Sequence, residues 1–150
     1  MKTKSVAAVL ALAVVTGGCV QATKQPSPNQ ISAVPNDRVF TIGDQSADAG
    51  SVAVTRDVGL AGGGCFLGLY IDGQPAAHFD PGERTTFKVK PGRHVLTARY
   101  VGGRGLCAAN SEARQVARSH STEVLIDPGM VRAYRIHTRV DGEPSIEPTL

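Results

Sequence analysis

Three triplets, Asp80-Pro81-Gly82, Lys90-Pro91-Gly92 and Asp127-Pro128-Gly129, with the pairs Asp72-Gly73 and Asp141-Gly142, cut most of the chain into segments of strand length. Proline presets φ at turn position i+1 and glycine accepts the positive φ of position i+2, so each triplet predicts a type II turn. Between the turns, side chains alternate with the period of two that puts neighbours on opposite faces of a strand. In ERTTFKVK, Thr85, Phe87 and Val89 share one face while Thr86, Lys88 and Lys90 share the other. In AYRIHTRV, Tyr134, Ile136 and Val140 oppose Arg135, His137 and Arg139. SVAVT, CFLGLYI, AAHF, HVLTARY and EVLI, beginning at Ser51, Cys65, Ala76, His94 and Glu123, are further strands, with a weak one near Ser145 to Glu147. CFLGLYI lacks clean alternation and so reads as a central strand covered on both faces. No long window repeats at 3.6 residues; Ala108 to His120 reads either as a short helical turn or as a loop. The expectation is an all-β fold, a small β-sandwich of about seven to eight short strands. The absence of tryptophan and the 17 glycines and 9 prolines suit such a fold.

The beginning of the chain is of another kind. Met1 to Cys19 reads MKTKSVAAVLALAVVTGGC: two lysines, an apolar run from Val6 to Val15, then small residues and a cysteine. This is the order of a secretory signal. The apolar run covers only about half of a roughly 30 Å hydrocarbon core, too little for a membrane-spanning helix. Thr16, Gly17 and Gly18 before Cys19 resemble the bacterial lipobox, although Thr16 stands where leucine or valine is usual. The resemblance implies cleavage before Cys19 and diacylation of its thiol, which moors the chain to a membrane through several acyl chains. Val20, which is not aspartate, implies by the same resemblance the outer membrane, facing the periplasm.

Val20 to Asn36 is polar and contains three prolines, and reads as a flexible linker holding the domain on the order of 20 to 25 Å from the lipid. The expected organisation is a leader at 1–18, the lipidated cysteine and linker at 19–36, and the sandwich at 37–150. Loss of Lys2 and Lys4 with the leader lowers the net charge from +3 to +1. A nearly neutral domain exerts no general attraction on nucleic acid.

Gly59 and Gly64 have the G-x-x-x-x-G spacing of a phosphate cradle, but Cys65 and Phe66 stand where lysine and serine or threonine are required, and a strand follows in place of a helix. Nucleotide binding is not expected. With Cys19 acylated, Cys65 and Cys107 remain, each after a glycine-containing loop, and in an oxidising compartment an isolated pair is most simply a disulfide. Closing that loop is worth about 4 kcal/mol in the chain-entropy model. The rival is a pair of free thiols, reactive or metal-binding.

His78, His94, His120 and His137 are too far apart in sequence to mark a metal site, and no G-x-S-x-G elbow is present. No catalytic residue and no cofactor are expected. Two surfaces are candidates for binding. One is the loop end carrying Arg56, Asp57 and Arg104 beside the glycines, where Arg56 and Asp57 could instead pair with each other. The other is the basic row Arg135, His137 and Arg139, suited to phosphates or carboxylates of the envelope or serving simply as a solvated strand face.

Leu69 to Tyr100, with Ile71-Asp72-Gly73 ending one strand and Pro91-Gly92-Arg93-His94 forming a later turn, resembles a PEGA-type domain, a small immunoglobulin-like or transthyretin-like module. The chain as a whole is similar to small bacterial lipoproteins. The resemblance brings no catalytic residues and implies a binding or surface-presentation unit. Three functions follow as expectations. The preferred one is a non-enzymatic envelope lipoprotein binding a protein or glycan. The alternatives are an accessory lipoprotein of a secretion or conjugation machine and a periplasmic thiol-redox protein or enzyme, the last lacking a C-x-x-C pair.

Overall fold

The computed structural model describes residues 23–40, 43–105, 107 and 111–149; the leader and Cys19 lie outside the described residues. Among these are β1 (Ser32–Ala33), β2 (Gly50–Arg56), β3 (Cys65–Ile71), β4 (Gln74–Phe79) and β5 (Glu83–Val89), then β6 (Gly92–Gly103), α1 (Glu112–Ala117), β7 (His120–Ile126), β8 (Val131–Thr138) and β9 (Pro144–Pro148). They form a β-sandwich: one sheet in the order β1-β5-β2-β8-β9 and a second in the order β4-β3-β6-β7. β2 runs parallel to β8 and β1 parallel to β5; the other pairs are antiparallel.

Alternation explains the core. Phe87 and Val89 of β5, Tyr134 and Ile136 of β8, and Val52 and Val54 of β2 face inward, opposite Leu67 and Leu69 of β3 and Leu96, Ala98 and Tyr100 of β6. β3 is central, between β4 and β6, as its unbroken apolar run predicted. Its outer face is covered by guanidinium groups: Arg38 lies 4.9 Å over the Phe66 ring and Arg99 4.0 Å over the Tyr70 ring. Gly68 lies between them with no space for more, since a Cβ there would come within 2.5 Å of the Val101 side chain.

The turns follow the sequence with one exception. Gly82 and Gly129 take φ of 81° and 68°, and Glu83 N donates to Asp80 O (3.1 Å) and Met130 N to Asp127 O (3.0 Å), as the proline-glycine triplets predicted. Gly92, with φ 136°, is instead already paired with Ile126 in the ladder. Asp72 and Gly73 both have positive φ, 52° and 80°, the pattern of a type I′ hairpin. The segment left open becomes α1, capped where the Ser111 side chain accepts from Arg114 N. Val140 does not join the inward face, because β8 ends at Thr138 and the 139–143 turn closes through Arg139 N to Glu143 O (2.9 Å).

The expected linker is the main departure. From Thr23 onward the chain is docked, and it laces both sheets along the side where β4 and β5 would otherwise be open edges. Lys24 and Val58 exchange backbone hydrogen bonds at 2.9 Å. β1 pairs with β5, and Val39 bridges Ala77 of β4 while Phe40 N donates to Ala76 O (2.9 Å). Val34 is buried between, and Arg38 grips the buried Glu83 with two hydrogen bonds, 2.8 and 2.5 Å. Proline and polar composition signalled disorder, but here the backbone groups of the strap find partners on sheet edges, a long-range effect absent from composition. Gly82 admits the strap, since a Cβ there would lie 2.7 Å from Gln30 O.

Candidate functional site

The strands deliver residues 57–64, 80–82, 104–105 and 139–143 to one end of the sandwich, and this is where the glycine-flanked residues gather. Arg56 ends β2 and is only 2% exposed. It is therefore not part of a binding surface, and it does not pair with Asp57. Its donors serve three backbone carbonyls: Cys65 O at 2.6 Å, Phe79 O at 2.5 Å and Gly62 O at 2.8 Å. Burial pushes its pKa down to about 10, which leaves it cationic at neutral pH. One side chain thus ties the glycine loop to the start of β3 and the end of β4. Cys65 and Cys107 are disulfide-bonded with a Cα separation of 5.2 Å, within the range such bridges need. Arg104, by contrast, remains exposed; its backbone N–H donates to Gly64 O (2.8 Å) and its guanidinium lies 3.6 Å from Asp80.

Asp57 and Arg135, assigned from sequence to separate surfaces, meet on the outer face of the five-stranded sheet. Parallel pairing of β2 with β8 places Thr55 beside Arg135, and the carboxylate at the next outward position reaches it. The Asp57 side chain is wholly buried, and Arg135 Nη2 donates to its Oδ2 at 2.5 Å. Burial raises the Asp57 pKa against the opposing pull of Arg135. Asp57 Oδ1 and Arg135 Nε have no hydrogen-bond partner, an unusual arrangement for enclosed polar atoms. Beside the pair lies a cavity of about 130 Å³ walled by Thr55, Arg84, Thr149 and the strap residues Gln25, Pro26 and Ile31.

The basic row is not a free cationic stripe. Glu147 of β9 stands 3.4 Å from Arg135 and 3.6 Å from His137, and Arg139 beyond the strand pairs with Asp141. Burial and then Arg135 hold the His137 pKa below its ordinary value, so the ring is neutral at pH 7. What remains is a mixed-charge cleft, able to exchange hydrogen bonds with hydroxyls, amides and carboxylates. Sequence reasoning missed Arg84, Thr55 and Glu147, whose placement depends on strand register; it also missed the strap, which roofs the cleft.

The motif residues of the Asp72-Gly73 and Pro91-Gly92 turns sit at the opposite end and form a clamp. His94 Nδ1 pairs with Asp72 Oδ2 at 2.6 Å, its Nε2 with Lys90 O at 2.9 Å, and Asp72 Oδ1 accepts from Val95 N at 2.9 Å. Both ring nitrogens face acceptors, so the charged imidazolium is favoured: burial lowers its pKa, but these hydrogen bonds outweigh it and the net shift is upward. His78 is enclosed by Phe40 and Phe66. Among the described residues no three His, Cys, Asp or Glu side chains converge as a metal site would require, and no helix is long and apolar enough to cross a membrane. The sequence matches no protein-family model and no curated protein.

Proposed function

We propose that this chain is a non-enzymatic lipoprotein of the cell envelope, anchored by acyl groups on Cys19 in the outer membrane and presenting its sandwich to the periplasm as a binding or scaffolding module. The observation that carries this reading is the use of the cysteines. Of the three, Cys65 and Cys107 are bridged in the fold, and the third stands at the end of a signal-like leader, where acylation would consume it.

Binding is assigned to the cleft beside Asp57 and Arg135, where enclosed polar atoms lack partners and Arg84 stands at the rim. A protein segment or glycan supplying both donors and acceptors suits it. Two measurements test the reading. In cells fractionated after expression, Cys19→Ser is expected to move the protein from the membrane pellet to the soluble envelope fraction; unchanged membrane retention contradicts the anchor. Crosslinking from intact envelopes is expected to capture a partner with the native chain and not with Arg84→Glu, and equal capture contradicts the cleft.

A further inference from the structure

We infer that the end of the sandwich formed by the 57–64 loop and the 139–143 turn rests on the bilayer surface, with Leu60 and Val140 entering the headgroup layer. This inference rests on the lipid-anchor reading and adds to it an orientation and a contact. The first support is where the described chain begins. Thr23 is locked at this end: its Oγ1 accepts from Thr138 N and donates to Thr138 O, both at 3.1 Å, and the next residue pairs with Val58. Cys19 is four residues before Thr23, so even a fully extended chain reaches at most about 14 Å. The seven-residue strands of the sandwich span about 23 Å. An acylated Cys19 therefore cannot bring the opposite end to the membrane without first burying this one against it.

The second support is what this end exposes. Leu60 is 99% exposed and Val140 67% exposed. Both belong to the Thr23 neighbourhood: a Cβ on Gly59 would lie 3.1 Å from Thr23 Cγ2, and Val140 follows Thr138 by two residues. The loop that offers Leu60 is held from behind, by Arg56 on Gly62 O and by Gly63 N on Leu60 O (3.1 Å). A fully solvated leucine on a restrained loop has no folding role in the chain itself. Insertion of aliphatic side chains at the acyl boundary, flanked by cations able to meet phosphates, is the usual way in which a surface-bound body settles on a bilayer. Lys24 supplies such a cation, while Arg104, Arg118 and Arg139 stand beside Asp80, Glu143 and Asp141. Two other exposed aliphatics, Leu125 and Val131, lie around the β7–β8 turn at the far end and serve as internal controls.

Because the chain contains no tryptophan, a single introduced indole reports its own position. The full-length acylated protein is reconstituted in phosphatidylethanolamine–phosphatidylglycerol vesicles as Leu60→Trp, Val140→Trp, Leu125→Trp or Val131→Trp. For the first two, emission is expected to shift to the blue and to be quenched by bromine on the lipid chains; for the last two, it stays that of water and is quenched by acrylamide. Water-like emission from Leu60→Trp and Val140→Trp in a protein whose mass shows acylation overturns the orientation alone. So does an indole at these sites shielded from both quenchers, the sign that protein covers this end. A mass lacking acyl groups overturns the anchor reading and the orientation together.

Discussion

Arg56 shows how far a residue's role can lie from its composition class. Beside glycines and an aspartate it reads as part of a ligand surface, yet it is the buried pin of the loop end, and only the three-dimensional convergence of Gly62, Cys65 and Phe79 carbonyls reveals this. Arg56→Ala is expected to cost about 3 to 5 kcal/mol, because it leaves carbonyls unsatisfied and a cavity behind. Arg56→Lys is expected to recover less than half of that, since one ammonium cannot span the fork. Urea denaturation of both variants checks this. At Asp57, removal of the carboxylate leaves the half-buried Arg135 without its main partner, and Asp57→Ala is expected to lose about 2 kcal/mol by the same measurement. His94 makes a prediction in pH. Its folded pKa lies above the ordinary 6.5, so its stabilisation is complete below that value and is lost as pH rises through the folded pKa. Asp72 lies below its ordinary 3.8, so its share is present above 3.8 and lost on acidification through the folded value. The difference in Tm between wild type and His94→Gln is therefore expected to be largest near about pH 5 and to shrink by about pH 8.

At the level of elements, turn chemistry and alternation made β2 to β9 readable almost strand by strand, because a sandwich strand must satisfy both a period and a punctuation. β1 was not readable: two exposed residues, Ser32 and Ala33, have no period, and they pair only because β5 presents an edge. The strap as a whole was hidden for the same reason. Its anchors are a buried valine, a bidentate Arg38–Glu83 pair and backbone hydrogen bonds to strands far away in sequence. The cleft was legible in its components, Asp57 and Arg135, but not in their pairing, which follows from the parallel register of β2 and β8. If residues 23–36 were a free linker, removing contacts there would leave stability unchanged. As a strap, Val34→Asp is expected to destabilise the domain by about 2 kcal/mol or more, and to expose the β4 and β5 edges to hydrogen exchange. Exchange rates of the Ala77 and Arg84 neighbourhoods that match wild type contradict this role.

For the whole molecule, a lock at Thr23, a strap laced across two sheet edges and a body cross-linked at Cys65 and Cys107 form one mechanical sequence, which the lipid anchor proposed at Cys19 would moor to the membrane. Breaking the cross-link with Cys65→Ser and Cys107→Ser is expected to lower stability by about 4 kcal/mol at most while leaving the two-sheet circular dichroism intact. The most direct measurement is the intact mass, under non-reducing conditions, of the mature chain taken from envelopes. It is expected to correspond to a polypeptide beginning at Cys19, carrying acyl groups on that residue and two hydrogens short at Cys65 and Cys107. A chain that retains residues 1–18, or that begins near residue 19 without any lipid, contradicts it.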